Sequence, residues 1–122
     1  MHWLVILSLI TGTTPPPATL PGFIDAAKLI ELCGAELDAG PGRAICVGYV
    51  VGAVDQLMAQ QSQLEEARRT ICPPSGMTVE DAVSAVVKYG RFGSTATNIG
   101  ASGFVRFAME ETFPCASPAK SR

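Results

Sequence analysis

From Phe23 onward the apolar residues recur at helical steps. Phe23, Ala26, Ala27, Ile30 and Leu37 fall three or four apart, with Leu29 and Cys33 beside them. Asp25, Lys28, Glu31, Glu36 and Asp38 take the polar positions. The spacing predicts a first helix over 23–38, closed by a turn at Gly40-Pro41-Gly42. A second helix is predicted from about Arg43 to about Arg69. Its first half is apolar (Ile45, Val47, Tyr49, Val50, Val51, Val54, Leu57, Met58) and its second half, from Gln60, is polar. Such a helix starts in a core and projects into water, with a weak point at Gln61-Ser62. Pro73-Pro74-Ser75-Gly76 is a turn, and Thr78 opens a capping box with Asp81 in the position usually held by Glu. Val79, Ala82, Val83, Val86 and Val87 follow as one stripe. Valine is a poor helix former and a strand competes here, but the spacing is helical and predicts a third helix over 79–89. After a loop at Gly90-Arg91-Phe92-Gly93-Ser94, a fourth helix from about Thr95 to Thr112 carries Ile99, Gly103, Phe104, Phe107, Ala108 and Met109. The pattern predicts an all-α fold, a small four-helix bundle.

The N-terminal segment follows a different pattern. Trp3 to Ile10 is apolar but too short to span a bilayer. It fits the apolar region of a secretory signal peptide, although only His2 and the amino terminus supply positive charge before it. The rival reading is an apolar first helix of a cytosolic domain. Pro15-Pro16-Pro17 stops any helix there, and cysteines favour an oxidising compartment, so export is expected. The chain then divides into a signal peptide and Pro/Thr linker over 1–22, a helical domain over 23–115 and a polar tail over 116–122.

Composition narrows what such a domain does. Apolar residues make up 48% of the 122 and charged ones 16%, a globular balance. Net charge is −2 and the only adjacent basic pair is Arg68-Arg69, so phosphate backbones are poor partners and nucleic acid is not expected. The single histidine is His2, inside the expected leader. Without it no Ser-His-Asp or Cys-His arrangement forms. The carboxylate pairs Glu65-Glu66, Glu80-Asp81 and Glu110-Glu111 are sequence neighbours, which point apart on a helix and read as solvated faces. No catalytic residue, cofactor or metal site is expected, and a binding role is favoured over an enzymatic one.

Four cysteines, Cys33, Cys46, Cys72 and Cys115, remain. None forms the close pairs that a structural zinc site or a redox motif uses. In an up-down-up-down bundle the end of the first helix meets the start of the second, which brings Cys33 to Cys46. Cys72, after the second helix, then lies with Cys115, after the fourth. Reduced core cysteines are the alternative. Gly48 and Gly52, one turn apart in the second helix, each cost about 1 kcal/mol against alanine. That cost implies the close approach of another backbone, from this chain or a second one. Asp55 shares their face, either as a buried polar pin or as the polar edge of the helix. Gly100 and Gly103 imply tight packing or a weak helix start.

Three stretches in order carry a resemblance. Cys46-Val-Gly-Tyr-Val-Val-Gly-Ala-Val-Asp55, Cys72-Pro-Pro-Ser-Gly-Met-Thr78 and Ala108-Met-Glu-Glu-Thr-Phe-Pro-Cys115 resemble the Rap/Tai family of type VI secretion immunity proteins. The resemblance covers about residues 23–115. It implies a small all-α periplasmic protein, often dimeric, that binds and blocks a peptidoglycan amidase toxin. It implies that the four cysteines are the disulfide framework and that Gly48, Tyr49, Gly52 and Asp55 are the packing signature of the second helix. In such proteins the third helix and the loop after it help to fill the toxin's cleft, which here is about Glu80 to Thr97. Many relatives carry a charged His-Pro-Glu stretch there, where this chain has Gly90-Arg-Phe-Gly-Ser-Thr-Ala-Thr-Asn98. Glu80, Lys88, Arg91 and Phe92 are the expected partner-binding residues. Phe92 either stands at the loop tip as an anchor, with Arg91 beside it, or folds back over the core. The alternative function is a periplasmic acid-stress chaperone, whose switch would have to use carboxylates near pH 4.

Overall fold

The computed structural model of the chain describes residues 22–34, 40–93 and 98–116, together with Gly12. The expected leader and tail fall outside these residues, apart from Gly12, Gly22 and Ala116, and so do the expected helix limits at Asp38 and Thr95.

Helix α1 (Ala26–Gly34) begins where Asp25 caps it, its Oδ1 accepting the Lys28 N–H at 2.8 Å. Ala26, Leu29 and Cys33 face the core. The expected stripe through Phe23 and Ala27 is one step off: Phe23 precedes the cap and is fully exposed, and Ala27 faces water. Helix α2 (Pro41–Ser62) opens with Gly40 as its N-cap and Pro41 in its first turn, where the missing N–H loses nothing. The Gly40-Pro41-Gly42 stretch thus starts a helix in addition to ending a loop.

α2 stops at Ser62, short of the expected Arg69, because Arg69 folds back onto its end. The Arg69 Nε donates to the Gln61 and Leu64 carbonyls at 3.2 and 3.3 Å, adding a second donor at Gln61 and pinning the turn just past the helix end. The Gln61 Oε1 accepts the backbone N–H groups of Thr70 and Ile71 at 2.8 and 3.2 Å. A 3₁₀ turn at Glu66–Arg68 spans the reversal.

The chain then runs back beside α2. Gly76, at φ 84°, makes the turn that only glycine adopts readily, and Met77 and Thr78 border a groove with Val51, Val54 and Asp55. Helix α3 (Val79–Lys88) therefore begins beside the middle of α2, with Glu80 reaching Arg43 in the first turn of α2 at 3.0 Å. Simple up-down alternation would have started it at the C-terminal end of α2. The capping box forms: the Asp81 N–H donates to the Thr78 Oγ1 at 3.1 Å, and the Thr78 N–H to the Asp81 Oδ2 at 2.9 Å. A π turn over Tyr89–Gly93 continues α3, so that Tyr89 ends the helix as expected while Gly90 to Gly93, expected as a loop, carry it further. Helix α4 (Ala101–Thr112) starts later than expected, since Asn98 and Ile99 are not helical and Gly100 is its N-cap. A two-bond bridge, Ala26 N–H to the Ile99 carbonyl (2.8 Å) and Ala101 N–H to the Ile24 carbonyl (3.0 Å), ties the starts of α1 and α4.

The four helices share one core. Phe104, Leu29, Met109, Val50, Val83, Val86, Val105 and Cys46 are fully buried, and every buried side chain among the described residues is apolar. The disulfides Cys33–Cys46 and Cys72–Cys115 both form as expected, although the up-down alternation from which they were expected is broken at α3 and at the paired starts of α1 and α4. Closing chain separations of 13 and 43 residues stabilises the fold by about 3 and 4 kcal/mol on loop entropy alone.

Candidate partner-binding site

Because the interior is apolar, recognition must use side chains at the surface. Two phenylalanines stand out among the described residues: Phe23, ahead of α1, and Phe92, 86% exposed on the π turn after α3 within the expected binding region. Phe92 does not fold back over the core. The base of the turn is fixed on two sides. The ring of Tyr89 packs on Phe104 of α4 at 5.0 Å between centroids, tilted by 59°. Gly90 lies so close to α1 that a Cβ there would stand 3.1 Å from the Ile30 Cγ1. The tip is thus carried on packed residues, and an anchor held this way gives up little conformational freedom on binding.

Arg91 and Lys88 flank it, both exposed and making no ion pair among the described residues. Arg91 borders the seam of Ile30, Cys33, Gly34, Val86 and Val87 between α1 and α3. On the other side Lys88, Tyr89 and Phe92 form a groove of about 290 Å³ with Glu111 and Thr112 at the end of α4. The composition of an aromatic tip, two cations and a shallow cleft suits binding of a protein surface.

Three of the four expected binding residues therefore come together. Glu80 does not. It sits one residue into α3, roughly 12 Å along the helix axis from Lys88, and pairs with Arg43 of α2. Glu111, Thr112 and Tyr89 belong to the cleft and were not anticipated. The first two come from the end of a helix distant in sequence, and no local pattern marks them.

Among the described residues, the packing expected of Gly48 and Gly52 within the chain is not made. Both are exposed, and a Cβ on either meets nothing within 4 Å. Asp55 is exposed beside them and so is not a buried pin, while Tyr49 is half-buried against the core. Asp81 is held below the usual carboxylate range by the backbone N–H of Thr78 and then by its hydroxyl.

The family model of the Rap1a immunity proteins matches residues 25–115, which is the whole described helical domain but its first few and last residues. The chain belongs to this family. No curated protein and no solved structure is detectably similar to it. Membership of an immunity-protein family implies a protein partner, and the Phe92 turn is the candidate contact. Among its described residues no helix is long and apolar enough to cross a membrane.

Proposed function

We propose that this Rap1a family member is a periplasmic inhibitor that binds a peptidoglycan amidase toxin delivered by type VI secretion and occludes its cleft, without chemistry of its own. The observation that carries the reading is Phe92, 86% exposed on a turn fixed by the Tyr89–Phe104 and Gly90–Ile30 contacts and flanked by Lys88 and Arg91. An exposed aromatic with an arginine beside it, held rigid, is the composition of an interface anchor. Glu80 takes part through its pair with Arg43, which holds α3 to α2.

The test is affinity for a verified cell-wall amidase toxin. Phe92→Ala and Arg91→Ala, combined, should weaken the complex by at least about 30-fold, the loss of one interface hot spot, with the unfolding transition unchanged. Unchanged affinity would place the contact elsewhere on the molecule. The bare face of Gly48, Gly52 and Asp55 is, in the same reading, the surface on which a second copy packs, and sedimentation of the parent beside Gly52→Leu tests it.

A further inference from the structure

The two disulfides lie in opposite surroundings. Cys33 and Cys46 are 4% and 0% exposed and each lies inside a helix; the seam that borders Cys33 beside Arg91 holds only about 70 Å³, too narrow for a dithiol while α1, α2 and α3 stay packed. Cys72 is exposed and Cys115 half-buried, and both stand in non-helical chain beyond the ends of α2 and α4. Beside Cys72 lies a groove of about 330 Å³, bordered by Met58, Gln61, Ser62, Arg69, Ile71 and Pro73.

Thiol–disulfide exchange needs access to one sulfur and a thiolate as attacker. The groove gives the access. Arg69, a permanent cation on its wall, favours a thiolate entering it. We propose that Cys72 is a thiol-exchange site through which a dithiol opens the Cys72–Cys115 bond while the core disulfide stays closed. One thiolate of the dithiol attacks the Cys72 Sγ. A mixed disulfide forms, and Cys115 leaves as a thiolate and takes a proton. The second thiol, losing its proton, then attacks its own reagent's sulfur in that mixed disulfide, and Cys72 leaves and is protonated. Two electrons and two protons pass from the dithiol to the protein, and the reagent ends as an internal disulfide.

The fold tolerates this opening. Gln61 and Arg69 still hold the reversal after α2, and the Cys72 N–H still meets the Phe113 carbonyl at 2.8 Å. What is untied is the end of α4, just after Glu111 and Thr112. Any effect on binding at the Phe92 groove rests on the proposed function, but the exchange at Cys72 does not.

Limiting dithiothreitol at mildly alkaline pH, an iodoacetamide quench and peptide mass spectrometry test the proposal on the full chain. Cys72 and Cys115 should become alkylated at least about 100-fold faster than Cys33 and Cys46, because exposing the core pair requires a rare opening. The half-reduced protein should keep its helical circular dichroism. Oxidised by glutathione disulfide, that species should carry the first adduct on Cys72. Reduction of both bonds together, reduction of the core pair first, or an adduct mainly on Cys115 would overturn it.

Discussion

Thr78 is joined to Asp81 by two reciprocal hydrogen bonds, one through its backbone N–H and one through its hydroxyl, and a single substitution measures the second. Thr78→Ala removes the acceptor of the Asp81 N–H and should destabilise the domain by about 1 kcal/mol, read as a drop in the urea midpoint at constant slope. The Asp81 carboxyl, now below the usual range, should rise towards it, which side-chain carboxyl NMR detects. This cap was legible in the sequence because every atom of it lies within four residues. Phe92 was not. Whether it caps the core or stands free depends on Tyr89 meeting Phe104 and Gly90 meeting Ile30, contacts between residues far apart in the chain. Asp25 misled for a related reason: it was counted inside a helix, when its side chain ends the extended chain and starts α1 at Ala26.

At the level of elements, all four helices follow from periodicity, and their limits follow from capping that periodicity does not report. The polar half expected for α2 is where Arg69 and Gln61 replace helix with a hydrogen-bonded reversal. Gln61→Ala leaves the Thr70 and Ile71 N–H groups without that acceptor. It should cost about 1–2 kcal/mol and speed amide exchange at those two residues. The glycines of α2 separate the two readings open to them: among the described residues the close neighbour is not in this chain, which leaves the second copy proposed above. Glycine in a helix signals a close neighbour only if one is there, and Gly48 and Gly52 face open space while Gly90 meets Ile30. Gly48→Ala and Gly52→Ala should therefore each raise the thermal midpoint of the monomer, by up to about 1 kcal/mol in stability. Gly90→Ala should lower it by about 1 kcal/mol, since the added methyl presses on the Ile30 side chain. At concentrations where the proposed second copy packs on this face, Gly48→Ala should instead weaken the dimer, so the gain is to be read on the dilute monomer.

For the whole molecule, the disulfide pairing and the family were legible because cysteine positions and three motifs constrain topology more tightly than any single helix does. The path of α3 was not, because nothing local says that residues 70–78 turn back along α2. The acid-chaperone alternative makes a claim at this scale, and Asp81 bears on it. Its folded pKa is depressed, so its contribution is complete above the unfolded value of about 3.9 and is lost only as pH falls through the lower folded value. The α3 cap thus persists at pH 4. Helical signal and a lack of dye-binding apolar surface should be retained there, whereas reversible exposure of such surface at pH 4 would revive the chaperone reading. In the proposed function, the Phe92 turn is where the toxin binds. The most direct measurement is capture of peptidoglycan amidase toxin on the immobilised domain, with the parent and the combined Phe92→Ala and Arg91→Ala variant side by side. The parent should hold the toxin stoichiometrically and silence its cell-wall hydrolysis, and the variant, equally folded, should lose both. Equal retention and inhibition by the two proteins would contradict the claim.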